Sequence, residues 1–268
     1  MRPVRRSVMD NYNEYQNDRN TEYYNYDMDT MQRGYGGYAA PSLTLSSYIA
    51  RTYGWMALGL LVTFAVALGA ALSGVVYTIF AAGGSIALIL ITIAELGVVI
   101  FLSARIHKMS VGTARALFLV YAALTGLTFS MYFLIFDLAI LIYAFAATAI
   151  LFGGMAAASL IFKMELDSIR PLLFGGLIML IVVGVLGMFL NLGAFNTMIC
   201  YLGIAIFLGY TAYDTAKIRQ NYEYYSRMGD AAVLEKASIF SALQLYLDFV
   251  NLFLYILRLL SNNRGSRR

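Results

Sequence analysis

Few residues in this chain can do chemistry, because most of it is apolar, and Asp248 is the most telling of them. It lies within residues 237–260 (ASIFSALQLYLDFVNLFLYILRLL), a stretch long enough to cross a bilayer. A carboxylate at mid-membrane costs about 2.5–3.5 kcal/mol even on the mildest scale, so such a residue faces protein or water rather than lipid. Gln244, Asp248, Asn251, Tyr255 and Arg258 recur at alternating spacings of four and three, which puts them on one helix face. Leu243, Leu245, Leu247, Phe249, Val250, Leu252, Phe253 and Leu254 cover the rest. A helix of this kind belongs against other helices, with its polar stripe turned inward. The plainer alternative is a tail helix whose polar residues merely pack. An aspartate, unlike Gln or Asn, needs a partner or a proton, which argues against it.

Three more ionisable residues fall inside or at the ends of apolar runs: Glu95, Arg105 and Asp214. Asp214, in GYTAYDTAKIR, stands at the expected end of the sixth span. It is either a solvated end residue paired with Lys217 or Arg219, or the partner of Asp248. Two carboxylates sharing one site cannot both ionise cheaply, so such a pair holds a proton between them and responds to pH. Arg105 leaning toward the pair would hold its ionised form and latch a cytoplasmic gate; otherwise it is an ordinary basic flank. Glu95, about two and a half turns deeper, either lines the same pathway or pairs structurally.

These residues must be positioned by membrane helices. Sixty per cent of the 268 residues are hydrophobic and 13% charged, and the mean hydropathy is +0.70. That places the chain among all-α polytopic membrane proteins. Residues 52–94 and 171–213 are each 43 residues without a charge, room for two helices apiece. The first run divides near Ser73 and Gly74, and the second at residues 191–196. Further helices are expected over residues 114–136 and 138–162, and the count is seven. The single cysteine, Cys200, excludes an intrachain disulfide, and His107, the only histidine, excludes a His-rich metal site. With that histidine in a loop, Ser–His hydrolysis has no place either, and the chain reads as a non-enzyme without a bound cofactor.

Lys and Arg fall in alternate loops: Arg105, Lys108 and Arg115; Lys163 and Arg170; Lys217, Arg219, Arg227 and Lys236. The intervening turns hold none, which sets the N-terminus in the cytoplasm. Arg264, Arg267 and Arg268 run against the rule if the last helix crosses, yet 24 residues are ample for crossing. Residues 1–47 read as a disordered, Tyr- and Asn-rich cytoplasmic tail of nearly balanced charge, with no nucleic-acid footprint. Residues 48–261 form the seven-helix domain, and residues 262–268 a basic tail.

AELGVVIFLSARI, GYTAYDTAKIR and above all ALQLYLDFVNLFLYILRLL resemble the Bax inhibitor motif (Bax inhibitor-1-like) family in a bacterial form. The resemblance covers residues 48–260. It implies six helices, in two layers of three, around a central C-terminal helix, in a multi-pass protein of the bacterial inner membrane. It further implies a pH-sensitive calcium leak, with Asp214 and Asp248 as sensor, gate and weak calcium ligands, Glu95 on the pathway and Arg105 as the latch. Gln244 and Asn251 are the other oxygens available to a passing ion. The partners implied are lipid, calcium and protons. The alternatives are a non-conducting regulator that binds another membrane protein, such as a membrane protease, and an intramembrane aspartyl protease. The second lacks the Gly-x-Gly-Asp and Pro-Ala-Leu settings, since the prolines are Pro3, Pro41 and Pro171.

Overall fold

The computed structural model describes residues 44–265, except residue 107, residues 164–165 and residues 190–194. Most of the expected N-terminal tail, His107 and much of the turn before the sixth helix lie outside the described residues. Among those described there are helices and turns but no strand. Helix α1 is Leu45–Leu72, α2 Val75–Arg105, α3 Val111–Phe129, α4 Leu138–Phe162, α5 Arg170–Phe189, α6 Phe195–Ser226 and α7 Ala231–Gly265. A single turn, Tyr132–Ile135, joins α3 to α4.

Local chemistry sets the boundaries. The Thr44 and Ser110 hydroxyls accept the Ser47 and Thr113 amides and cap α1 and α3. Gly74, at φ 73°, makes the tight turn from α1 to α2, a backbone conformation that favours glycine. Pro171 stands in the first turn of α5, where its missing N–H has no partner to lose. The Asp230 side chain accepts the Ala232 amide at 2.8 Å as α7 starts.

Three boundaries differ from the sequence expectation. The third helix stops at Phe129 rather than 136, because Phe136 is extended and the short turn intervenes. The sixth continues through Ser226, and the seventh starts at Ala231 rather than 237. Both extensions carry polar residues that hydropathy counts as loop. Asp214 is therefore well inside α6, not at its end.

Six of the helices are long and apolar enough to cross a bilayer, and α2, whose two arms bend by 107° about Gly84, is the candidate for a seventh span. Contacts at one end support that count. Arg51 of α1 and Arg115 of α3 both bond Glu235 of α7, so the starts of these three helices share a side. The chain leaves α1 at the far side and must return through α2 to begin α3.

Helix α7 is the centre. Of its apolar stretch 67% is buried, against 33% or less in the five other single-helix candidates. It packs on α6, α1, α4 and α3, while α2 lies chiefly on α3 and α5 on α6. The expected arrangement of six helices about a C-terminal one holds, with four in close contact and two outside. Around α7, Leu243, Leu245, Tyr246, Leu252 and Leu257 are all fully buried. Lipid tails are as apolar as leucine, so close backbone approach and hydrogen bonds hold such helices together. At Gly203 of α6 an added Cβ would meet the Tyr255 ring of α7 at 2.5 Å. That ring stacks on Phe207, with centroids 5.8 Å apart.

Gly203→Leu is expected to lower stability in detergent by about 1–3 kcal/mol, as overpacked sites do. Gly153→Ala, which meets open space, should stay within about 0.5 kcal/mol of the parent. Thermal unfolding of the two purified variants checks the contrast.

Candidate functional site

The site forms where α6 crosses α7. Asp248 is 4% exposed and Asp214 7%, and the two carboxyl groups are close neighbours across the α6–α7 contact. Two carboxylates are acceptors only, so neither can donate to the other while both are ionised. The second Asp248 oxygen, Oδ2, is buried without a hydrogen-bond partner. Around the pair, the Tyr53 hydroxyl of α1 meets the Thr215 hydroxyl at 3.0 Å and lies in the field of Asp248. Tyr210, one turn before Asp214, lies in the field of both aspartates. On the α4 side, Ser159 donates to the Ala212 carbonyl at 2.8 Å and fastens α4 to α6.

Lys217 is the nearest cation on the same helix and attracts Asp214. Its Nζ donates to the Tyr213 hydroxyl at 2.8 Å and lies 5.1 Å from that ring's centroid. Arg219 pairs instead with Glu223, at 3.4 Å. The reading of Asp214 as a solvated end residue fails, because the helix runs on past it and the carboxyl is buried.

The other expected site residues lie apart from the pair. Arg105 is exposed, with its guanidinium carbon 5.7 Å from the centroid of the Phe101 ring on its own helix. The structure does not bring it to the aspartates as a latch. Glu95 is half-buried and accepts a hydrogen bond from Thr128 of α3 at 2.5 Å, so it takes the structural pairing. Asn251 donates to the Leu247 carbonyl of its own helix at 2.8 Å. The polar stripe is also not the most buried face of α7. Gln244, Asn251 and Tyr255 are half-buried and Arg258 is exposed, while Leu243, Leu245, Leu252 and Leu257 are fully buried.

Part of that stripe faces a cavity. An outer cavity of about 520 Å³ is bordered by Asn251, Tyr255 and Arg258 of α7 together with Tyr132, Asn196 and Gly184. A second cavity of about 320 Å³, at the opposite end, is bordered by Ser159, Lys163, Thr215, Arg219 and Glu223. Thr215 follows Asp214 directly, and Asn251 is one turn beyond Asp248. Along both helices the carboxyl pair thus lies between the two cavities. Among the described residues no group of three His, Cys, Asp or Glu side chains gathers to hold a metal.

The sequence profile of the family described as "Inhibitor of apoptosis-promoting Bax1" matches residues 45–265, all seven helices. The chain belongs to the Bax inhibitor-1-like family. Among its relatives, an Escherichia coli protein described as "Inner membrane protein YbhL" is 40% identical over 84% of this chain and 95% of its own length. An uncharacterized Deinococcus radiodurans protein is 38% identical over 80% of the chain and 89% of its own length. One from Borreliella burgdorferi is 33% identical over 84% and 95%. Bax inhibitor-1-like proteins are a membrane family and not a known enzyme family.

Two structural groups in this family member escaped sequence reasoning. Tyr246 is fully buried, and its hydroxyl meets Thr63 of α1 at 2.6 Å. Thr63 in turn donates to the Ala122 carbonyl of α3 at 2.9 Å, so one hydroxyl chain ties α7 to α1 and α3. A tyrosine between leucines gives no sign of this. Glu235, the acceptor for two arginines, precedes the apolar run and reads as loop. Tyr246→Phe should lose about 0.5–1.5 kcal/mol of stability, the usual net worth of one internal hydrogen bond. The thermal unfolding midpoint, measured beside that of Thr63→Ser, which keeps a hydroxyl, tests the assignment.

Proposed function

We propose that this protein conducts a slow, pH-sensitive leak of cations, calcium foremost, across the bacterial inner membrane, and that Asp214 and Asp248 are its gate. The observation that carries the reading is the contact of two buried carboxyl groups between α6 and α7, with a cavity beyond each along the helices. Hard oxygen ligands suit calcium, which takes six to eight of them. Two carboxylates offer fewer, so the ion is held weakly and passes on. The inner-membrane description of the E. coli relative supports the compartment. The basic residues gathered at the end shared by Arg51, Arg115 and Glu235 support a cytoplasmic N-terminus, and α7 then ends on the opposite side.

The contact sets the sign of the pH response. In the closed arrangement a proton is shared between the carboxyl groups. Its loss leaves two like charges in a poorly screened site, which separates them and admits water and a cation. Arg105 does not reach the pair, so no arginine holds the ionised form closed, and loss of the proton is what opens the gate. Lys217 attracts Asp214 from the same helix while its ammonium group bonds Tyr213, and Tyr53 and Tyr210 present only hydroxyl groups.

Calcium flux into proteoliposomes, followed from pH 6 to pH 8, is expected to rise several-fold with pH. Asp214→Asn and Asp248→Asn should each flatten the profile, while Arg105→Gln keeps it. Wild-type profiles in both aspartate variants would remove the gate from the pair. No flux above empty liposomes from folded protein would move the reading to a regulator that binds another membrane protein.

A further inference from the structure

The outer cavity contains a charge that a cation route does not call for. Among the described residues that border it, Arg258 is the charged one and none is a carboxylate. An arginine is no ligand for a cation. Its planar fork is instead suited to two oxygens of a phosphate at once. Residues able to hydrogen-bond border the same space: Tyr132 and Tyr255, both within the field of Arg258, and Asn196 and Asn262.

Size and surroundings narrow the class of ligand. About 520 Å³ falls within the roughly 300–1,000 Å³ usual for small-molecule sites, and is far more than a bare phosphate fills. Phe136, Leu254 and Leu257 supply apolar wall beside the polar groups. Gly184 of α5 borders the cavity without a side chain, and a Cβ added there meets nothing within 4 Å. The adjoining face of α5 is apolar and open, with Ile181, Val182 and Val185 each half exposed. An anionic head in the cavity and an acyl chain along α5 would satisfy both surfaces.

We propose that the outer cavity binds a glycerophospholipid headgroup, with Arg258 holding its phosphate. The site is separate from the aspartate pair, and its test does not depend on ion flux. Full-length protein, delipidated in detergent, is titrated with phosphatidylglycerol and followed by native mass spectrometry. The wild type is expected to retain one lipid preferentially. Arg258→Gln should weaken that adduct at least tenfold, and Arg258→Lys should keep part of it, because a point charge replaces the fork. Gly184→Leu, which fills the cavity and leaves the charge in place, should weaken it as Arg258→Gln does. It carries the test if the glutamine variant fails to fold. Equal lipid affinity in a folded Arg258→Gln protein overturns the proposal. A parallel arm uses inorganic phosphate. Displacement of the lipid by an equal concentration of phosphate, dependent on Arg258, would make the ligand a free anion and overturn the lipid assignment.

Discussion

Two carboxyl groups buried between membrane helices constrain everything around them. Neither could be accommodated alone, since an isolated charge in such a place has no water to stabilise it. Each is tolerable because protein, not lipid, surrounds both, and a proton held between them would relieve their like charge. That requirement places α7 at the centre, since only a helix enclosed on every side keeps Asp248 from the acyl chains. It also places α6 directly against α7, and leaves α5, which carries no charge between Pro171 and Phe189, free to face lipid.

What holds the enclosure is not the hydrophobic effect, which gives no preference between a leucine in lipid and a leucine in protein. Short polar contacts substitute for it. The Thr52 and Ser238 hydroxyls meet at 3.1 Å between α1 and α7. The Thr63, Tyr246 and Ala122 chain and the Ser159 bond to Ala212 do the same deeper in. Each contact uses a small hydroxyl or a backbone carbonyl, groups that let helices approach closely. Glu235, with Arg51 and Arg115, adds an ionic tie at one end, and Arg115 also lies over the Trp55 ring at 5.4 Å.

The sequence made the membrane class, the helix count and the centrality of the last helix readable, because lipid allows few solutions. An unbroken run of 43 uncharged residues can only be two spans, and an aspartate amid leucines can only be enclosed. The pairing of Asp214 with Asp248 was readable as one of two options. What decided it, the continuation of α6 through Ser226, was hidden because Lys217, Arg219 and Glu223 look like loop residues to hydropathy. Arg105 shows the limit of spacing arguments. Its position near the end of α2 is right for a latch, but α2 packs chiefly on α3, and the side chain ends over Phe101. The roles of Glu235 and Tyr246 were not readable either, because each depends on partners more than 100 residues away.

The central position of α7 bears on how the chain is assembled. Translation runs from α1 to α7, so the helix that completes the core is the last of the seven to leave the ribosome. Until it arrives, α1 presents Thr52 and Thr63 to the bilayer without their partners from α7, and α6 presents Asp214 without Asp248. The first six helices are therefore a cradle with an unfilled polar lining. Insertion of α7 is then not an addition at the rim but a closing step, in which the carboxyl group on the incoming helix meets the one already in place.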